Sequence, residues 1–342
     1  MQLGLYAHTH GLGYREGENN RTASVPGIEL RPTEVAVAAE ANGFHSMWFP
    51  DHVCMPTETG SAHVANTTGK RSYQPRHDML DAAVVMGAVA TVTTTLKLGT
   101  SVLVSPYRGP LNDVRQFTTV DILSNGRLLL GVGEGWMAEE FHALGLDPAE
   151  KGRRTVEAIE IYKAAWTDDV VSFEGEFYSF SDISMDPKPV QQPRPPIIYG
   201  GVSPLGARRS ARRCDGFYPL FLDPYAAPTR YRSHQSEIRR ILNEIGRDPS
   251  TFTMMGAATL HLTSEADAIG AGGQRMICTG TPDQILEDLA AFAAEGYSMI
   301  VVKLVCPSGQ VSELLETIER VGREIVPIAA GFEPAGGWRP SL

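Results

Sequence analysis

The pair Asp51-His52 is the part of the sequence whose residue types point most directly to catalysis. It follows an apolar run at residues 45–49, and Pro50 ends that run because a proline cannot continue the hydrogen bonding of a strand. An imidazole exchanges protons near neutral pH, and an adjacent carboxylate can set its tautomer. We therefore predict that His52 is a catalytic acid or base and that Asp51 orients it. The alternative is that Asp51 caps the next segment and His52 is an ordinary hydrogen-bonded residue.

A second candidate is an anion site at residues 200–204, GGVSP, which also follow an apolar run. Gly200 and Gly201 let the backbone approach a ligand closely, and Ser203 offers a hydroxyl while capping a helix. The free N–H groups of a helix start favour phosphate, and four arginines follow at residues 208–213. A plain strand-to-helix turn is the alternative, but the combination favours a phosphate site.

Glycines and aromatic residues supply candidate pocket walls. Residues 131–136, GVGEGW, contain three alternating glycines, among them Gly133, followed by Trp136, and this spacing permits close approach of a flat ligand. The same glycines would equally suit close packing of a strand against a helix. Aromatic walls favour a small, fairly hydrophobic organic substrate. The further candidate pocket residues are Tyr6, His8, Trp48, Glu134 and Tyr218.

These residues need a scaffold that gathers strand ends, and the chain supplies eight apolar runs that alternate with helical patterns. Such runs are typical of buried parallel strands, so the order predicts an α/β fold, a (β/α)8 TIM barrel with its catalytic rim after the strands. An open doubly wound sheet is the weaker alternative. The strands are predicted at residues 3–8, 45–49, 96–104, 127–132, 196–200, 216–221, 252–262 and 298–305. The helices are predicted at residues 33–42, 80–94, 111–124, 153–166, 204–214, 228–245, 281–295 and 311–326.

Two segments exceed a minimal barrel and are predicted as insertions after strands 2 and 4. The first, residues 54–79, is polar, and the second, residues 168–195, contains the hairpin-like pattern VVSFEGEFYSFSD. We expect both to lie on the catalytic side and to cover a pocket. Residues 1–342 are predicted to form a single domain because nothing in the chain resembles a second one.

Composition favours a small-molecule enzyme of the cytoplasm. The hydrophobic fraction of 42% supports one large core, and no run approaches the ~18 apolar residues of a membrane span. The net charge of −10 disfavours nucleic acid as a partner. The four cysteines form no CxxC pair, which favours reduced thiols, and the first residues lack the layout of a signal peptide.

Several motifs, in this order, resemble the bacterial luciferase-like superfamily of flavin and deazaflavin oxidoreductases. They are LKLGTSVLVSPYRGP, LSNGRLLLGVGEGWMAEEFHALG, VSFEGEFYSF, KPVQQPRPPIIYGG and CDGFYPL, and the similarity spans residues 3–325. Within the superfamily the chain looks most like the probable F420-dependent oxidoreductases. The resemblance implies a (β/α)8 barrel with a flavin-like ring over the C-terminal rim.

The resemblance also implies roles for individual residues. His52 matches a family histidine beside the reactive ring, and Ser101-Val102 matches a position where many members have a non-proline cis peptide. Trp136 stands where sugar-phosphate dehydrogenases of the superfamily carry a glutamate, so a sugar phosphate is disfavoured. Glu134 stands where the luciferases place an arginine, which weakens a light-emitting analogy. The implied cofactor contacts are Ser101, Val102, Gly133, Trp136, Arg154, Gly200, Gly201 and Ser203. For Arg154 the resemblance implies a place either near the phosphate or in the structural core.

The expected cofactor is coenzyme F420, slightly favoured, or FMN, with hydride transfer or monooxygenation as the respective reaction. An FMN-dependent enzyme would need a separate flavin reductase, and we expect a homodimer. Two alternatives remain. One is a metal-dependent barrel hydrolase, because His8 and His10 stand where such enzymes place metal ligands. The other is a noncatalytic barrel subunit, since the superfamily contains such relatives.

Overall fold

Eight parallel strands close into a barrel in the computed structural model, which describes residues 1–17, 19–62, 76–221, 223–339 and 342. Each strand pairs with the next, and Gln2 opposite Met299 begins the pairing that joins the last strand to the first. The predicted (β/α)8 barrel is therefore confirmed. The strands are β1 (Gln2–Tyr6), β2 (Ser46–Phe49), β3 (Lys97–Thr100), β4 (Leu128–Gly133), β5 (Ile197–Gly200), β6 (Gly216–Tyr218), β7 (Thr253–Leu262) and β8 (Met299–Leu304).

Among the described residues, eight longer helices surround the barrel, and several begin at side-chain caps. Thr281 accepts a hydrogen bond from the Gln284 N–H while the Gln284 side chain accepts one from Thr281 N, a capping box that fixes the start of its helix. The predicted helix at 228–245 begins instead with a 3-10 turn, Pro228–Tyr231. The helices are α1 (Pro32–Ala41), α2 (Ala82–Val92), α3 (Pro110–Leu123), α4 (Lys151–Thr167), α5 (Pro204–Arg213), α6 (Arg232–Glu244), α7 (Pro282–Ala294) and α8 (Val311–Glu324).

The barrel interior is filled by large side chains that glycines accommodate. Trp48, on β2, is fully buried, and its indole N–H donates to Ser46 Oγ at 2.7 Å. A Cβ at Gly99 would lie 2.4 Å from the Trp48 ring, and one at Gly4 would lie 2.8 Å from it. These neighbouring strands therefore need glycine, and Trp48 forms a rigid floor beneath the rim.

The second predicted insertion is a hairpin, but it does not cover the rim. Its strands are Val171–Glu174 and Ser179–Ile183, and they follow α4, in the connection that returns to β5. The segment between the hairpin and β5 is held at the end of the barrel opposite the rim. There Val190 N donates to Asp121, in the last turn of α3, at 2.7 Å. The expectation that residues 168–195 cover the pocket is wrong. The helix α4 comes between β4 and this hairpin, so the hairpin does not leave the barrel directly from the carboxyl end of β4.

Described residues of the loops after β1 and β2 do lie at the rim. A hairpin of Leu12–Glu16 with Asn19–Ala23 follows β1 and was not predicted, because its strands, LGYRE and NNRTA, lack apolar alternation. Much of the first predicted insertion, residues 63–75, lies outside the described residues. A short helix, Ala138–Ala143, follows β4 and packs near the loop after β2. Within the described residues, no helix is long and apolar enough to span a membrane.

Candidate active site

A cavity of about 450 Å³ opens at the C-terminal ends of the barrel strands. This volume lies within the range of small-molecule sites. The predicted site residues line this cavity, with the exceptions of His8, Trp48 and Arg154. Sequence reasoning missed several further lining residues, among them Asn20, Lys151, Tyr199, Thr259 and Lys303.

The three exceptions are displaced from the cavity for different reasons. Trp48 lies inside the barrel, where its ring centroid is 5.3 Å from that of Tyr218. His8 is buried behind the wall, its Nε2 is 3.2 Å from the Leu304 carbonyl oxygen, and burial lowers its pKa to about 3. Arg154 pairs with Glu150 and stacks over the Phe177 ring at 4.3 Å, outside the cavity. His8 and Trp48 are therefore not pocket residues, and Arg154 is not a contact in this cavity.

His52 is held by Glu140, not by its neighbour in the sequence. Its Nδ1 lies 2.7 Å from Glu140 Oε2, and the Glu140 side chain is fully buried. Burial disfavours ionisation of Glu140, but hydrogen bonds from His52 and from the N–H groups of Val53 and Cys54 keep its pKa below its usual range. An ionised Glu140 can only accept, so Nδ1 of His52 carries the proton in this hydrogen bond.

Asp51 has a different task. Its two carboxylate oxygens each accept a hydrogen bond from the Arg108 guanidinium at 2.6 Å, and Oδ2 also accepts from Val104 N at 3.0 Å. The prediction that Asp51 orients His52 is therefore wrong. Successive side chains of an extended segment point in opposite directions, so Asp51 faces the segment before α3 while His52 faces the helix after β4. The motif Glu139-Glu140 was visible in the sequence, but its spacing gave no link to His52.

Glu139, the neighbour of Glu140, binds a later part of the loop after β2. Its carboxylate accepts hydrogen bonds from the N–H groups of Gly60 and Ser61 and from the hydroxyls of Thr59 and Ser61, at 2.7–3.2 Å. The short helix Ala138–Ala143 thus contacts both the start and the later part of the described loop after β2.

The wall formed by β3, β4 and β5 has the features of a ring platform and an anion site. The Ser101-Val102 peptide is cis, which confirms the expectation from the family resemblance. A Cβ at Gly133 or at Gly200 would lie 2.5 Å from Val102, so these glycines make room for its side chain. Ser203 caps α5 by accepting from Gly206 N at 3.0 Å.

Glu134 contributes a charged group to the same wall. It forms an ion pair with Arg209, and Tyr199 donates its hydroxyl hydrogen to the same carboxylate. Burial, reinforced by Glu134, raises the pKa of Tyr199 far above its usual range, so the phenol stays protonated. The charge of Glu134 is therefore balanced by Arg209, close to the predicted phosphate loop.

Lys303 is the cation that sequence reasoning missed. It follows four apolar residues of β8, Met299–Val302, and its only signal was a lone charge in an apolar strand. Its Nζ donates to Thr22 Oγ1 at 2.8 Å and lies 5.6 Å from the Tyr6 ring centroid. In the part of the chain that the structure describes, Lys303 forms no ion pair, and burial lowers its pKa to about 8.

This partly buried ammonium makes folding stability depend on pH. The pKa of Lys303 is about 8 in the folded protein and 10.5 in its ordinary state, so the unfolded chain binds more protons between these values. Stability therefore rises with pH across that window. As the pH rises through this window, we expect the free energy of unfolding of the wild type to increase by up to about 3 kcal/mol more than that of Lys303→Met. Urea unfolding at about pH 7.5 and about pH 10 measures the gain, and an unchanged difference between the two proteins would contradict it.

Metal chemistry receives no support from the geometry. Among the described residues, no group of three or more His, Cys, Asp or Glu side chains lies close enough to hold a metal ion. His8, one of the two histidines that prompted the hydrolase alternative, instead contacts a backbone carbonyl.

Sequence comparison places the chain among known enzymes. A family model described as luciferase-like monooxygenase matches residues 19–272. The chain is 27% identical over 297 residues to the FMNH2-dependent dimethylsulfone monooxygenase of Pseudomonas putida, covering 74% of this chain and 79% of that protein. It is 32% identical over 190 residues to an uncharacterized protein of Mycobacterium bovis, covering 55% and 67% respectively.

A solved structure shares the fold. The F420-dependent secondary alcohol dehydrogenase in complex with an F420-acetone adduct superposes with a TM-score of 0.72 at 19% identity, over 96% of this chain and 98% of that one. The family match includes β2 to β7 with His52, Glu140 and the loop after β5. With its closed barrel and most of its length matched, the chain belongs to the luciferase-like monooxygenase family.

Proposed function

We propose that the protein uses a reduced flavin or deazaflavin bound in the rim cavity to reduce or oxygenate a small, fairly hydrophobic organic substrate. The observation that carries the proposal is one cavity in which a glycine-lined wall faces a histidine held by a buried carboxylate. The first feature suits a flat ring with a phosphate tail, and the second suits proton transfer.

The residues present fit such a cofactor. Gly201 has open space, since a Cβ there would meet only Tyr199, at 3.8 Å, and Ser203 begins a ten-residue helix whose dipole favours an anion at its start. We assign the phosphate to Gly200, Gly201 and Ser203. The ring is assigned to the wall made by Ser101, Val102, Gly133 and Trp136.

In this assignment the cofactor supplies the hydride or the oxygen-activating electrons, and the chain supplies position and protons. Glu140 holds Nδ1–H of His52, so that Nε2 gives or takes the proton at the reacting centre. Asp51 and Arg108 fix the backbone at Val104, next to the ring wall. Apolar residues of the cavity exclude water from the reaction.

The relatives support both cofactors. The Pseudomonas putida monooxygenase is FMNH2-dependent, and the structurally similar alcohol dehydrogenase is F420-dependent. We slightly favour coenzyme F420, from the subgroup resemblance. Separate titrations with reduced FMN and with F420, followed by absorbance and fluorescence, test the choice. Binding of FMN alone would imply a flavin reductase as partner, and binding of neither would remove the proposed function in favour of a noncatalytic barrel. The homodimer also remains a prediction.

The phosphate position predicts a loss of cofactor affinity in Ser203→Asp. Aspartate also caps helices well, so α5 should remain folded. A new carboxylate beside the phosphate costs at least ~1 kcal/mol, which weakens binding about fivefold or more. The same titrations measure it.

Thr281→Asp is the matched control, because Thr281 caps α7 and does not line the cavity. It should bind the cofactor as the wild type does. Equal affinity of Ser203→Asp and Thr281→Asp would move the phosphate away from the loop after β5.

A further inference from the structure

Two polar side chains on the inner wall of the barrel have unused hydrogen-bonding capacity. Thr259 on β7 and Lys303 on β8 are register partners, and both line the cavity. Thr259 is 5% exposed, and among the described residues its Oγ1 has no hydrogen-bond partner. The Lys303 ammonium has three donors and donates one of them to Thr22 Oγ1. Because buried polar groups are normally paired, this wall indicates a ligand that supplies hydrogen-bond acceptors.

The charge distribution of the cavity indicates the sign of that ligand. Asp51 is paired with Arg108, and Glu134 is paired with Arg209, so these cavity carboxylates carry their own cations. Lys303 has no such partner within the described ranges. An opposite charge stabilises a partly buried ammonium, and an anion from outside the chain would supply it here.

The surroundings indicate the rest of the ligand. Ala257 and Val301 lie two residues before Thr259 and Lys303 on the same strands, and they line the cavity below them. Tyr6 lies beside the ammonium, with its ring centroid 5.6 Å from Nζ. A ligand seated here would have an apolar body among these side chains and one charged end.

We propose that Lys303 and Thr259 form a subsite for a carboxylate or an equivalent oxyanion, so that the substrate class is an apolar organic acid. The ammonium donates two hydrogen bonds to the anion, and the Thr259 hydroxyl donates a third. The subsite lies on β7 and β8, apart from the loop after β5 assigned to the cofactor phosphate. The assignment of this subsite to the substrate rests on the proposed function. The binding of an anion at the subsite does not depend on that function.

The test uses two probes that share a body and differ in charge: 4-(trifluoromethyl)benzoate and 4-(trifluoromethyl)benzamide. Fluorine NMR measures their affinities for the full chain without cofactor at neutral pH. A hydrogen-bonded charge pair should make benzoate bind at least about tenfold more tightly than benzamide. Equal affinity for the two probes, or no binding of either at millimolar concentration, would overturn the subsite.

Variants locate the effect. Lys303→Met should remove the preference for benzoate, and Thr259→Val should weaken benzoate about threefold to tenfold while benzamide changes little. Lys163→Met is the matched control, because Lys163 lies on α4, pairs with Glu160 and does not line the cavity. Lys151→Met removes the other cavity lysine, and loss of the preference there, with Lys303→Met unchanged, would assign the anion to the cofactor end instead. Should Lys303→Met fail to fold, Thr259→Val alone decides.

The two proposals fail separately. If neither FMN nor F420 binds while the benzoate preference depends on Lys303, the anion subsite stands and the proposed function falls. If a cofactor binds but Lys303→Met weakens that cofactor and leaves the benzoate preference intact, the substrate assignment falls and the oxidoreductase proposal stands.

Discussion

Replacing His52 with alanine is expected to lower redox turnover by about 10²–10⁴-fold while cofactor affinity changes by no more than a few fold. The imidazole is the proton carrier in our assignment, whereas the proposed cofactor contacts lie on β3, β4 and the loop after β5. Turnover is followed by the absorbance of the cofactor, and affinity by the titrations described above.

Glu140→Gln is the companion variant. A glutamine amide keeps the shape of Glu140 and can still accept a hydrogen bond, so His52 stays in place and the loss should be smaller than in His52→Ala. It also removes the charge that fixes the proton on Nδ1. Normal turnover of His52→Ala would contradict the assignment, and the acid would then be sought at Glu134, because His8 is buried outside the cavity.

Replacing Asp51 with alanine is expected to lower the free energy of unfolding by about 3–5 kcal/mol. The side chains of Asp51 and Arg108 are 1% and 13% exposed, and two hydrogen bonds of 2.6 Å join them. Removing the carboxylate leaves a nearly buried guanidinium with only a longer contact, 3.6 Å, to Asp81, and an unpaired N–H at Val104. Urea unfolding followed by circular dichroism measures the change.

An exposed pair provides the control for this prediction. Asp223 pairs with Arg230, but their side chains are 35% and 47% exposed, so Asp223→Ala should cost less than about 1 kcal/mol. The double variant Asp51→Leu with Arg108→Met should recover part of the loss, because it leaves no unpaired charge. A cost for Asp51→Ala no greater than that of Asp223→Ala would show that the pair is not stabilising.

The barrel could be predicted from the sequence because its period is local: each apolar run and each amphipathic helix lies within one stretch of chain. The rim could be predicted for the same reason, since His52, Gly200 and Ser203 directly follow their strands. The partner of His52 could not, because Glu140 is 88 residues away and the nearer carboxylate, Asp51, was the obvious choice. Contacts between loops depend on side-chain direction, which spacing does not reveal.

Lys303 and the hairpin after β1 show two other limits. A lysine in an apolar strand looks the same in sequence whether it faces solvent or a cavity, and only the register of β8 with β7 distinguishes the two. The polar strands Leu12–Glu16 and Asn19–Ala23 lack the alternation that identifies a half-buried strand, although Thr22 from this hairpin contacts Lys303.

The two glutamates of the short helix after β4, Glu139 and Glu140, hold the loop after β2 against that helix. Four backbone amides of the loop after β2, those of Val53, Cys54, Gly60 and Ser61, donate to these carboxylates. They lie outside any helix or strand, yet their deuterium exchange should be slow for as long as the helix stays docked. Undocking of the helix from this loop would also withdraw Glu140 from His52. The position of the loop after β2 and the orientation of the His52 ring therefore depend on the same carboxylate.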